Sequence, residues 1–261
     1  MILAKTLDLT RIAAIAGLAV VATEGYACAE DISFLCAAAL RPAMQELIPE
    51  FQKTSSHNIK VEYANIGVIT ERVRRGDEAD LAIVSPQQWE SLQKTGRISA
   101  GPRFVIAQVG IGALVRKGAS RPNIRSVDDF KRAMLDAQSI VIGNADQGSP
   151  EGIYLIALFD RLGISDKIKS KLQLSPAIPG RVAETVIKGD AEIGFIQMSE
   201  IITSPDMDLV GPLPAEIQHV TIFTAAIPLS AKQGPAAKDL VNFLRSPRAV
   251  SVFTSNGLGP G

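Results

Sequence analysis

The chain has 261 residues, 46% of them hydrophobic and 21% charged, with 27 Lys+Arg balanced by 27 Asp+Glu. That length supports one large or two medium domains with a good core. The neutral balance argues against nucleic acid as a partner, since a phosphate backbone calls for a basic patch; a small anion needs only local charge.

The N-terminus reads as a secretory signal. Lys5 and Arg11 flank the start, residues 12–22 are apolar, and Ala27-Cys28-Ala29 is an A-x-A site. The expectation is cleavage after Ala29 and a mature chain in the periplasm. An uncleaved anchor and a lipid-modified Cys28 are the alternatives, although Gly25-Tyr26-Ala27 is a poor lipidation sequence. The apolar run is too short to span a bilayer by itself, and no later segment is long and apolar enough. Cleavage leaves Cys36 as the remaining thiol, so no internal disulfide is expected and the core carries stability. Cys36 lies in an apolar stretch and reads as a buried, inert thiol rather than a nucleophile.

A strand at 32–37 ends in small residues, and a helix at 42–53 follows with Arg41 and Pro42 in its first turn. Small residues admit a ligand to the backbone, and Pro is pre-set for a first helical turn. The helix start offers free N–H groups and a positive dipole end, to which Arg41 adds a permanent charge; capture of a small anion is the implied task. The spacing then predicts a strand at 59–64, a short helix at 68–75 stopped by Gly76, a strand at 79–85 and a helix at 86–94 opened by Pro86. Residues 104–115 read as a long extended crossover. A capping pattern at Ser126-Val127-Asp128-Asp129 opens a helix to about 137. A strand at 139–143, a polar loop at 144–150 and helices at 151–162, 165–172 and 181–188 come next. Strands at 192–197 and 220–227 and helices at 236–243 and 247–255 close the chain.

Alternating strands and helices imply an α/β protein with mainly parallel sheets. Two such units joined by crossovers suggest two lobes with a ligand cleft between them. The expected division is a signal at 1–29, one lobe from 30–110 plus 213–261, and a second from 111–212. Ligands in such sheets sit at the carboxyl ends of strands, which names the loops after Ala37, Ala64, Ser85, Gly143 and Gln197. His57 and His219 each precede a strand and are expected on the surface, away from the cleft. Neither supports a metal site. Arg72-Val73-Arg74-Arg75 reads as a solvated helix end, with docking to a transporter as the other use.

Several stretches carry a likeness across the mature chain. They are Phe34-Leu35-Cys36-Ala37-Ala38-Ala39-Leu40, Gly76-Asp77-Glu78-Ala79-Asp80-Leu81-Ala82-Ile83-Val84-Ser85, Pro150-Glu151-Gly152-Ile153-Tyr154, Gly189-Asp190-Ala191-Glu192-Ile193-Gly194-Phe195 and Asn256-Gly257-Leu258. The chain resembles the type II periplasmic solute-binding proteins, most closely the molybdate-binding (ModA-like) family of ABC transporters. That resemblance implies a tetrahedral oxyanion held by hydroxyls and backbone N–H groups. This chain departs from the pattern at the ligand loops. A usual Ser is Ala39, and a usually small polar residue is Arg41. A run of Ser is Asn65-Ile66-Gly67, Pro-Ala-Gly is Pro150-Glu151-Gly152, and a late Tyr is Gln197.

A ligand oxygen left without its donor costs about 1–3 kcal/mol, so several such losses oppose tight molybdate binding. Arg41, and Arg181 at the start of a later helix, offer guanidinium forks suited to carboxylates, with amides from Asn65 and Gln197. This is similar to an aconitate-handling branch related to the molybdate-binding proteins, which includes aconitate isomerase. The expected ligand-binding residues are Ala39, Arg41, Asn65, Gly67, Ser85, Glu151, Arg181 and Gln197. Glu151 is the candidate base and Tyr154 a candidate proton donor. Against these stand plainer roles: Arg41 and Arg181 as solvated cations, Glu151 as a helix-start carboxylate, Tyr154 as core. Isomerisation of cis- and trans-aconitate, delivery of a carboxylate to an ABC transporter permease, and molybdate or tungstate binding are the three functions that follow. A monomer without metal or organic cofactor is expected.

Overall fold

The computed structural model describes residues 31–55, 57–176 and 178–261; the expected signal at 1–29 lies outside them. In chain order the elements are β1 (Asp31–Ala37), α1 (Arg41–Ser55), β2 (Asn58–Ala64), α2 (Ile66–Arg75), β3 (Leu81–Val84), α3 (Pro86–Lys94) and β4 (Phe104–Arg116). There follow α4 (Val127–Asp136), β5 (Ile140–Gly143), α5 (Pro150–Arg161), α6 (Ser165–Ile168), β6 (Leu172–Ser175), α7 (Arg181–Lys188), β7 (Ile193–Gln197) and α8 (Met198–Ile202). The chain closes with β8 (Met207–Pro212), β9 (Val220–Ala226), α9 (Gly234–Leu244), α10 (Pro247–Ser255) and β10 (Gly259–Pro260).

Local chemistry sets many of these bounds. Gly76 ends α2 at φ 87°, a left-handed position that Gly takes without a Cβ penalty. Ser85 and Gln88 form a reciprocal capping box at the start of α3, and the Ser126 hydroxyl accepts the Asp129 N–H at the start of α4.

The strands form one curled sheet in the order β2-β1-β3-β9-β4-β7-β5-β6, with β8 and β10 also paired to β4. Its flanks are parallel: β1 with β2 and β3, and β5 with β6 and β7. The centre is antiparallel, because β4 and β9 run against their neighbours. The 13-residue β4 is the crossover. Residues 104–110 pair with β9, while residues 111–114 pair with β7.

Apolar packing follows the same division. One core gathers Phe34, Leu40, Met44, Leu47, Ile83, Phe223, Leu240 and Phe253. Another gathers Phe130, Phe159, Phe195, Ile140 and Leu155, with Phe130 edge-on to Phe195 at 5.9 Å. Fully burying one such side chain contributes about 1.5–3 kcal/mol. Cys36 is buried and free, and burial pushes its thiol well above the usual range, so it is inert at neutral pH.

Several elements differ from the sequence expectation. The helix expected at 165–172 ends at Ile168 and passes through a short 3-10 turn. Its last residue, Leu172, starts β6, which pairs in register with Ile140 of β5. Sheet pairing outweighs the helical preference of the Lys-rich stretch before it. The short α8 and β8 had no counterpart in the sequence reading.

Candidate functional site

The carboxyl ends of β1, β2 and β7 converge on one recess, as expected for ligand sites in α/β sheets. Ala37, Ala38, Ala39, Ala64, Asn65, Ile66, Pro150, Glu151, Gln197, Glu200 and Phe223 line it. Its cavity is about 30 Å³, room for one or two waters as the walls now stand. The N-termini of α2 and α5 both open onto it. Asn65, the N-cap of α2, makes no capping bond with its side chain, which leaves the amide available to a ligand.

Glu151 is placed by unusually close packing of backbone. A Cβ on Gly152 would lie 2.0 Å from the Gly143 carbonyl oxygen, so the first turn of α5 presses directly on the end of β5. The buried Ser149 hydroxyl accepts the Gly152 N–H at 3.2 Å and donates to Glu151 Oε1 at 2.5 Å. Burial pushes the Glu151 carboxyl up, opposed by hydrogen bonds from Ser149, its own backbone and Gln197.

Gln197 ends β7 and is buried. Its amide nitrogen donates to Thr221 Oγ1 at 3.0 Å, and its Oε1 has no donor. One turn further, Glu200 of α8 faces the same space. Burial first, and repulsion from Glu151 second, push its carboxyl up to about 8, with the Arg41 charge opposing. The sequence reading did not find Glu200. Its signal is a carboxylate three residues past Gln197 on a short helix that has no periodicity to read.

Other expected residues fall around this centre. Ala39 lies on the recess wall, and its carbonyl accepts the buried Ser199 hydroxyl at 2.8 Å. Arg41 is exposed beside the recess, with its guanidinium carbon 4.4 Å over the Tyr63 ring. Gly67 meets the backbone of Gly148: a Cβ there would lie 2.8 Å from both the Gly148 Cα and carbonyl oxygen. Arg181 is not brought to the recess. It is exposed on α7 and ion-paired with Glu184 at 2.6 Å.

A second recess of about 440 Å³ lies beyond the Gly67–Gly148 contact. Ser85 and Tyr154 are on its wall rather than in the first, with Ser85 engaged as the α3 cap. The Tyr154 hydroxyl donates to the Ile217 carbonyl at 2.9 Å and accepts from Arg161. His219 stacks on the Tyr154 ring at 4.6 Å on this wall, in place of the surface position expected from sequence. The antiparallel run of β9 carries its first residues to the cleft side. Burial holds the His219 imidazole below its ordinary value, so it is neutral near pH 7. Among the described residues no group of three His, Cys, Asp or Glu side chains is placed to hold a metal ion. No helix among them is long and apolar enough to cross a membrane.

This architecture is the type II periplasmic-binding-protein fold. The periplasmic molybdate-binding protein of Azotobacter vinelandii superposes with a TM-score of 0.74 at 19% identity, over 88% of this chain and 99% of that one. Residues 32–259 match the bacterial extracellular solute-binding protein family, and the chain belongs to that family. Among its relatives, an aconitate isomerase from a Pseudomonas species is 28% identical over 235 residues, covering 88% of this chain and 87% of that protein. The molybdate-binding protein ModA of Azotobacter vinelandii is 27% identical over 239 residues, covering 88% and 90%.

Proposed function

We propose that this is an exported, periplasmic aconitate isomerase that interconverts cis- and trans-aconitate by an allylic proton shift. One observation carries the reading: the recess presents a carboxyl group, Glu151, where an oxyanion carrier needs hydroxyl donors. Its wall is alanine at 37, 38, 39 and 64, and the hydroxyl protons of Ser149 and Ser199 are already committed. Ser149 caps α5 and binds Glu151, Ser199 binds the Ala39 carbonyl, Ser85 caps α3, and Thr221 accepts from Gln197. The similarity to an aconitate isomerase along most of both chains supports the same substrate.

In this reading the two lobes, 30–110 with 213–261 and 111–212, part to admit the ligand and close on it through the Gly67–Gly148 contact. The starts of α2 and α5 and the Asn65 amide receive substrate carboxylates, and Arg41 adds a cation beside them. Glu151 takes a proton from the substrate methylene. The charge that builds spreads onto the adjoining carboxylate, which the helix starts and Arg41 stabilise. The raised proton affinity of Glu151 suits a base working near neutral pH.

Incubating the purified mature protein with cis-aconitate and separating the two acids by chromatography tests this. Conversion to the trans acid is expected, and none at high protein concentration would sink the enzyme reading. A second reading, a carrier that delivers a carboxylate to a transporter permease, is favoured by membership of a solute-binding family. Tight binding of aconitate without turnover would select it, and calorimetric binding of molybdate in preference to aconitate would return the oxyanion ligand.

A further inference from the structure

Glu200 has no part in the scheme above, yet it lines the same recess as Glu151 and Gln197. The groups that face it come from three elements. Glu151 approaches from α5, the Arg41 guanidinium acts from α1, and Gln197 ends the strand that leads into α8. Tyr63 and Cys36, close to Arg41, are both held neutral by burial, so neither exchanges protons near pH 7. The second observation is independent of charge. Gln197 is 4% exposed, its amide nitrogen serves Thr221 and Glu151, and its Oε1 has no donor. Buried acceptors nearly always have a donor, and this unpaired one belongs to a residue that shares the recess wall with two carboxyl groups.

We propose that Glu151 and Glu200 act as a pair holding one proton, Glu151 as the base and Glu200 as the acid at the far end of the allylic system. The assignment rests on the isomerase reading. Glu151, as carboxylate, removes a proton from the substrate methylene and breaks that C–H bond. The electron pair forms a new C=C bond to the central carbon, and the old π pair moves to the far carbon. That carbon forms a C–H bond with the proton carried by Glu200. One proton enters the pair and one leaves, so no oxidant or co-reactant is required. Glu151 ends protonated and Glu200 ionised, and passage of the proton between them restores the start. Two carboxyl groups in one narrow recess resist double ionisation, which keeps one of them protonated near neutral pH.

The test follows cis-aconitate in D₂O by proton NMR with wild type, Glu151→Gln, Glu200→Gln and Glu200→Asp. Wild type is expected to isomerise. Glu200→Gln should still exchange the substrate methylene protons for deuterium while isomerisation falls about 100-fold or more, the usual range for loss of a general acid. Glu151→Gln should lose both exchange and isomerisation, and Glu200→Asp should recover part of the rate. Calorimetry with trans-aconitate checks that Glu200→Gln still binds, and circular dichroism that it folds; Glu200→Asp carries the test if it does not, by a rate below wild type. Isomerisation by Glu200→Gln within threefold of wild type overturns the role of Glu200 while leaving the isomerase reading intact. Loss of both exchange and turnover in Glu200→Gln, with binding kept, overturns the division into base and acid. A wild type that does not isomerise overturns both.

Discussion

A carboxyl group buried beside another carboxyl binds its proton more tightly in the folded protein than in the unfolded chain. For Glu200 the value rises from 4.5 to about 8. Between those values the folded state holds more protons than the unfolded state, so stability falls as pH rises through that window. Glu200→Gln removes the group that must ionise. It should therefore be more stable than wild type at pH 8, by about 1–3 kcal/mol, with the gap shrinking towards pH 5. Urea denaturation at both pH values measures this, and a gap that widens towards pH 5 would contradict the burial argument. Arg41→Ala should weaken aconitate binding by about 1.5–3 kcal/mol, as for a charged hydrogen bond. An unchanged calorimetric affinity would leave Arg41 as a cation resting on Tyr63. The recess positions of Glu151 and Gln197 were legible because each departs from the family pattern at a loop the strand order points to. Glu200 was not, since its partner Glu151 is distant in sequence and meets it only through the fold.

At the scale of elements, the start of α5 depends on two glycines. Gly152→Ala would place its Cβ against the Gly143 carbonyl, at 2.0 Å if nothing moved. Helix and strand must separate, at a cost of about 1–3 kcal/mol typical of overpacking. The Ser149–Glu151 hydrogen bond shifts with them, so both unfolding midpoint and turnover should fall. A variant with unaltered midpoint and turnover would show that this contact does not position Glu151. Elements with strong local signals were readable from sequence: α2 with its Gly76 stop, α3 opened by Pro86, and α7. The short β6, α8 and β8 were not. Four to six residues carry too little periodicity, and β6 exists because β5 offers it an edge. Two residues of the recess wall, Glu200 and Gln197, sit on or beside that unread α8.

For the whole molecule, the chain crosses the centre of the sheet on β4 and returns on β9, with separate cores on either side. That arrangement was legible as a long apolar crossover and a return strand; the antiparallel centre and the cleft position of His219 depend on strand order, which no local pattern encodes. The proposed closing contact is backbone against backbone at Gly67 and Gly148. Gly67→Val should hold these surfaces apart while leaving the fold intact. Small-angle scattering is expected to show that aconitate no longer compacts the protein, with weaker binding alongside. Normal compaction and affinity would remove this contact from the closing motion. The central claim, that the recess moves a proton on an organic polycarboxylate, is tested most directly by proton NMR of the wild-type protein with cis-aconitate in D₂O. The account predicts trans-aconitate bearing deuterium on its methylene carbon; cis-aconitate that stays unconverted and unexchanged at high protein concentration would contradict it.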